Sequence, residues 1–328
     1  FFENVPSSSF ILLIMVSLIQ LISFPWAIDY VHDGANSYFK VIARTIIQYW
    51  LFWFAGLYIH KIWKNDRFWK IMLILWFFAS CLIISNALSN NIFAIILSGK
   101  PIYLLLGDSF AILSIFILCK TKNFKKQFFI IIITSICLFA LFSRTSLYCF
   151  IIVSLLFLYK QNKAVLLLTI FGAAFLLIIN FNNNIMEERM FRIIFGSFDT
   201  SQSLREDRLE DGLNHLSNNW LLGSFMGDVE QNFGRTGYYI HNYLSFWRQF
   251  GLIPFFIFIT ILIPYCIKIF KYWFNNKKVK GLSLFWFLYT VFVLLEIVMA
   301  RSCLGSSYIW MSISGLYIFF KNFNNKTS

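Results

Sequence analysis

Charge is scarce in this sequence. Of its 328 residues, 13% are Asp, Glu, Lys or Arg, while 59% are hydrophobic and 20% aromatic. A water-soluble domain has no means of burying so large an apolar share, so the composition selects an integral membrane protein. Several soluble-enzyme signatures are also missing. No GxxxxGK[ST] loop and no GxGxxG turn occurs, which argues against ATP-driven and dinucleotide chemistry. There is no GxSxG elbow and no HExxH, and His32, His60, His215 and His241 are widely spaced, which argues against a serine hydrolase of that type and against a zinc site. The six cysteines lie in or at the ends of apolar segments with no CxxC among them. They read as core fillers, not as a disulfide framework or thiolate site, and neither metal nor cofactor is expected. No internal repeat is visible, which weighs against a transporter built from repeats.

Long apolar runs are abundant. A spanning helix needs roughly 20 apolar residues. Ten segments come near that length: 10–28, 41–59, 69–87, 101–119, 127–143, 146–160, 164–180, 243–269, 282–300 and 307–321. They are continuously apolar instead of alternating, which excludes a strand barrel. The first carries no signal-peptide cleavage pattern and is expected to stay as a helix. The net charge of +13 would point to nucleic acid in a soluble protein. Here most of the excess is lysine in short polar stretches at 60–70, 120–126, 160–163, 268–280 and 321–326, so no nucleic-acid partner is expected. These stretches hold 17 of the 28 basic residues, and all but one of the 17 are lysine. With ten spans all five stretches fall on one side, which the positive-inside rule makes cytoplasmic, with both termini there. The expected fold is all-α, with a seven-helix bundle over 1–180, an outer loop domain over 181–242 and a three-helix bundle over 243–328.

The outer face then collects arginine: Arg144, Arg189, Arg192, Arg205, Arg208, Arg235, Arg248 and Arg301, with Arg44 near the outer end of the second helix. Topology does not require arginine there, and its planar fork suits phosphate and carboxylate. Arg189, Arg192 and Arg235 are expected to pair with acids of the loop. Within the loop, SLREDRLEDGLNHL reads as a helix with Ser203 and Glu206 as a capping box and Leu209, Leu213 and Leu216 on one face. Arg205 lies one turn before Leu209, with Arg208 beside it. His215 reads as structural. His241 stands at the N-terminal end of the eighth span, where dipole and burial favour a neutral imidazole able to take a hydroxyl proton. Arg248 is expected on the same helix face. Asp108 and Glu296 are carboxylates inside spans, which a proton-coupled transporter would use.

Three stretches resemble a known family. FSRTSLYCFIIVSLLFLY (142–159) is similar to the Ser-Arg-small-residue start of an apolar helix in the O-antigen ligase and O-antigen polymerase superfamily. Arg205, followed eighteen residues later by Gly223, resembles the start of that family's large periplasmic loop, and HNYLSFWRQFGLIPFF (241–256) its exit into the next helix. Leu209 stands where many members have Trp, and Trp220 where many have Pro. The resemblance implies a GT-C-like, metal-independent glycosyltransferase of the bacterial inner membrane, with its active site on the periplasmic face. The donor would be an undecaprenyl-diphosphate-linked oligosaccharide, and the acceptor a glycan (polymerase) or lipid A–core (ligase), with a chain-length regulator as a further partner. Arg144, Arg205 and His241 match the catalytic positions, and Arg208, Arg301 and Arg248 are further diphosphate-binding candidates. A short gap in the match exchanges Arg205 and Arg208. The polymerase is the favoured activity. A lipid-linked glycan transporter and a peptidoglycan-type polymerase are the alternatives.

Overall fold

The computed structural model describes residues 7–23, 25, 38–88, 102–179, 200–234, 240–277, 279–299, 301–303 and 306–327. Among these residues the protein is all-helical, with 13 helices and no strand. We label them α1 (Ser7–Ile22), α2 (Tyr38–Ile62), α3 (Asp66–Leu88), α4 (Ile102–Lys120), α5 (Phe124–Ala140), α6 (Arg144–Gln161), α7 (Lys163–Ile179), α8 (Thr200–Asn218), α9 (Gly227–Gln231), α10 (Leu244–Phe250), α11 (Leu252–Asn275), α12 (Gly281–Met299) and α13 (Tyr308–Thr327). Each expected apolar segment is helical over most of its described part, with 141–143 forming a turn after α5 and 243–269 broken at Gly251 into α10 and α11.

Three of the described helices are both long enough and apolar enough to cross a membrane: Asp66–Ala87, Leu252–Asn275 and Gly281–Met299. Only 17% of the apolar window in the first is buried by protein, against 67% in the last. In α3, Ile71, Ile74, Phe77, Phe78 and Leu82 all stand outward, more than half exposed. In water each would forgo roughly half of the about 1.5–3 kcal/mol that full burial of such a side chain is worth, and a contiguous patch of this kind marks contact with another apolar phase. The chain is therefore a helical protein of membrane type.

The expected divisions at 180 and 242 rest on the pattern of apolar runs. By spatial proximity the chain forms two compact units, one of Phe1–His60, Ser201–Tyr272 and Val293–Ser328, the other of Lys61–Thr200 and Trp273–Phe292.

In the second unit, small and hydroxyl residues set the helix contacts. The Trp76 indole donates to Ser114 Oγ at 2.9 Å, and Ser114 in turn donates to the Phe110 carbonyl. Trp63, Phe116 and Phe285 form an aromatic cluster. Asn123 caps α5 by accepting from the backbone of Lys125 and Lys126. Gly107 lies against Ser143, which a Cβ would approach to 2.5 Å at Oγ. Asp108 accepts from Ser146, which lies 2.7 Å from Ser143 Oγ. The carboxylate inside the fourth apolar segment is thus held by hydroxyls, as a buried polar group must be.

In the first unit, Trp53 and Trp50 of α2 donate to Ser9 and Ser17 of α1. On the other side of α2, Ser314 of α13 donates to the Trp53 carbonyl at 2.8 Å, and Tyr49 packs on Trp310. Gly56 lets the two backbones approach, as small residues do between membrane helices. A Cβ at Gly56 would lie 2.5 Å from the Met311 carbonyl oxygen and 2.9 Å from the Gly315 nitrogen, with Ser314 Oγ closer still. The Gly56→Ala protein is expected to lose about 1–3 kcal/mol, read as a lowered Tm in detergent. An unchanged Tm would mean the α2–α13 contact has room for a side chain.

Candidate functional site

The candidate site lies within the first unit and is built by α8, α9, α10 and the turns between them. Its frame is a crossing of two backbone segments at glycine. The Ser224 N–H donates to the Arg248 carbonyl at 2.7 Å, and the Leu252 N–H to the Leu221 carbonyl at 3.0 Å. Gly223 and Gly251 both have positive φ, 71° and 84°, and a Cβ on either would strike the backbone of the other's turn. Glycine is required at both for conformation and for space. These are the glycines of the loop-start and loop-exit stretches, and the fold brings them together.

The same crossing pins the side chains of α10. Gln249 accepts from the Met226 N–H and donates to Asp228 Oδ1, both at 2.7 Å, which locks α9 against α10. Arg248 is 3% exposed. Its Nε donates to His215 Nδ1 at 3.2 Å and its Nη2 to Gln231 Oε1 at 3.0 Å. A guanidinium only donates, so His215 Nδ1 accepts and the ring is neutral in this contact. Burial pushes the His215 pKa below its ordinary value, the Arg248 charge adds to that, and Asp228 and Glu230 oppose it. Burial also lowers the Arg248 pKa, against Asp228 and Asp211. The guanidinium stays charged at any physiological pH.

Arg248 therefore keeps a cationic centre whose hydrogen-bond partners are an imidazole and an amide. It lines a cavity of about 360 Å³ together with Arg208, Asp211, His215, Asn218 and Gln231. On the same side of α8, Arg208 Nη1 lies 3.2 Å from His241 Nε2. The contact is a hydrogen bond only if Nε2 offers its lone pair, which places the imidazole proton on Nδ1. Asn242 then starts α10, accepting from the Leu244 N–H at 2.9 Å, and Ser245 ties the turn to the Cys303 N–H at 2.8 Å.

This geometry corrects several expectations. His241 does not sit on a membrane helix. It lies in a bend before the seven-residue α10, and the long apolar helix begins at Leu252. His241 and Arg248 consequently do not share a helix face: one meets Arg208, the other His215. The α8 face that turns inward is also displaced. Leu216 is buried, but Leu213 is 43% exposed, while Gly212 packs against Ile240. Arg208 and His215 belong to this inward face. His215 has the structural role its sequence context predicts, and it lines the cavity as well. The amides Asn214, Asn218, Gln231 and Asn232 of the lining carry no sequence signal beyond the polarity of the loop.

The remaining candidates are distributed as follows. Arg301 Nε is 3.6 Å from Glu296 Oε2, so its charge is offset, and the pair accounts for the carboxylate of that span. Arg144 opens α6 in the other unit, buried beside Ser143 and Ser146. Arg205 lies in α8 by its backbone, and its side chain is outside the described residues, as are His32, Arg189, Arg192 and Arg235. No group of three or more His, Cys, Asp or Glu side chains suited to a metal occurs among the described residues.

Because His215 binds a proton less readily in the folded chain than in the unfolded one, its contribution is fully present above the ordinary value of 6.5 and declines as pH falls below that toward the folded pKa. Thermal melts between about pH 7.5 and 5 are expected to show this loss, and the His215→Gln protein to show a flatter profile. Equal slopes in the two proteins would exclude His215 as its source. No protein-family model, no curated protein and no solved structure matches the chain.

Proposed function

We propose that this chain is a polytopic inner-membrane glycosyltransferase of the O-antigen polymerase kind, with about ten spans in a GT-C-like arrangement and its site on the periplasmic face. The observation that carries the reading is the pairing of His241 with Arg208, which lines a polar cavity together with the buried Arg248. The order of the three family-like stretches, 142–159, 205–223 and 241–256, supports it.

In the proposed reaction an acceptor sugar hydroxyl attacks the anomeric carbon of a glycan linked to undecaprenyl diphosphate. The new glycosidic C–O bond forms as the bond to the diphosphate oxygen breaks. The lipid diphosphate leaves with the bonding electrons, and the hydroxyl proton passes to a base. Buried Arg248 offers fixed positive charge for the negative charge that grows on the leaving group, and Arg208 adds a second charge when it turns to the diphosphate. Preorganised donors of this kind are each worth about 10²–10³ in rate. His241 is the base. Its Nε2 lone pair is occupied by Arg208 at rest, so the diphosphate has a second effect: it draws the guanidinium away and frees the nitrogen that takes the proton. Anion binding and base activation are then coupled through one side chain. Arg205, in the same helix as Arg208, remains a candidate for this diphosphate, and Arg144 is kept as a family-matched candidate in its own right. Arg301 is the weakest candidate because Glu296 already neutralises it.

His241→Ala is expected to lower transfer by about 10²–10⁴-fold, measured with purified lipid-linked oligosaccharide as both donor and acceptor. Arg208→Lys is expected to lower it by at least about tenfold, since an ammonium lacks the fork that spans two phosphate oxygens. Full activity of the His241→Ala protein at normal Tm would refute the base assignment. Activity class is read in cells by deleting the gene and running the lipopolysaccharide on a gel. Core capped with single repeats supports the polymerase. Bare core with accumulated lipid-linked polymer means a ligase, and repeat units held on the cytoplasmic side mean a transporter.

A further inference from the structure

A second cavity, of about 410 Å³, lies within the other compact unit at the lysine-rich helix ends. Lys120 closes α4, Lys122 follows in the turn to α5, and Lys280 immediately precedes α12. Trp63 and Leu284 supply its apolar wall. We propose that this cavity is a binding site for the phosphate headgroup of an anionic phospholipid.

Three features carry the proposal. First, the cavity gathers three lysines from two connections far apart in the chain, Lys120 and Lys122 at the α4–α5 turn and Lys280 before α12, with little to neutralise them. Lys120 Nζ is 3.8 Å from Asp66, whose side chain is 85% exposed, and such an exposed pair is worth little. Second, one of the three is held in place. Lys120 donates to the Trp63 carbonyl at 2.6 Å and stands 5.8 Å from the centre of the Trp63 ring. An ammonium has three donors, and these contacts leave at least one for a ligand. The floor is fixed as well: the Gln127 amide donates to the carbonyls of Leu118 and Thr121, and Gln161 to that of Val279. Lys122 and Lys280 are exposed and able to fold over a bound anion.

Third, the surroundings favour a lipid over a soluble anion. Trp63 and Asp66 lead directly into α3, the helix whose apolar side chains face away from protein over most of its length. Acyl chains attached to a phosphate in the cavity would have that surface to lie on. Lysine clusters at the cytoplasmic ends of membrane helices attract acidic headgroups at about 1 kcal/mol per residue.

The full chain, purified in neutral detergent, is titrated with phosphatidylglycerol, with phosphatidylcholine and with inorganic phosphate while Tm is followed. Phosphatidylglycerol is expected to raise Tm and phosphatidylcholine to leave it unchanged. In the Lys122→Ala/Lys280→Ala protein the apparent affinity for phosphatidylglycerol is expected to fall roughly 30-fold. The Lys125→Ala/Lys126→Ala protein, which loses the same charge just outside the cavity, should keep it. Equal affinity in all three proteins, or equal loss in both variants, would show general attraction to the surface and overturn the site. A shift with inorganic phosphate at concentrations where the lipid gives none would overturn the lipid as ligand.

Discussion

A buried guanidinium dictates the architecture of the loop region. Arg248 is almost fully enclosed, and a charge taken out of water is tolerated only where its donors are satisfied. A carboxylate partner would have met that need and cancelled the charge. Here the donors go to His215 and Gln231, both uncharged, so the need is met and the charge survives. Everything nearby serves that arrangement. The glycine crossing at 223 and 251 brings the two turns into backbone contact, Gln249 fixes α9 through Asp228 and Met226, and α9 thereby presents Gln231. The outcome is a polar cavity with positive charge built into its wall. Such a cavity is suited to an anion in a way that a surface cluster of paired arginines is not.

The opposite treatment of Arg301 sharpens the point. It too lies at the end of an apolar helix, yet Glu296 neutralises it within 3.6 Å. Two arginines have different chemistry because one is in ion-pair contact with a carboxylate and the other gives its hydrogen bonds to neutral acceptors, with Asp211 and Asp228 acting on it only through space. Lysine and arginine are likewise used differently along the chain. Most of the lysines cluster at helix ends and in the turns beside them, as flexible hydrated charges, while Arg208 and Arg248 are held by directional hydrogen bonds.

Much of the helical framework is legible in the sequence. The apolar runs are long, the polar breaks between them short, and all but 243–269 form a single helix over most of their described residues. The turn chemistry is less legible. The run 243–269 reads as one helix because Phe, Trp and Ile continue on both sides of Gly251. What breaks it is the close approach of Gly223, about which composition carries no information. That break places His241 and Arg248 on different faces. The inward stripe of α8 departs from the leucine pattern for a related reason. Leucine spacing predicts burial only if there is a core to receive it, and α8 turns toward α10 and Ile240 with Gly212, Arg208 and His215 instead.

The sequence by itself determined that this is a helical membrane-type protein, that its lysines and arginines largely occupy different stretches, and that its longest polar segment runs from Phe181 to Asn242. These are properties of local composition and run length, which the thickness and dielectric of a bilayer read directly. Tertiary structure decided which arginine meets which partner. Arg208 and His241 are 33 residues apart, as are His215 and Arg248. Two such pairs, interleaved along the chain, can be exchanged on paper without altering any local pattern. Only the folded path through Gly223 and Gly251 assigns one imidazole to the buried arginine and leaves the other to Arg208.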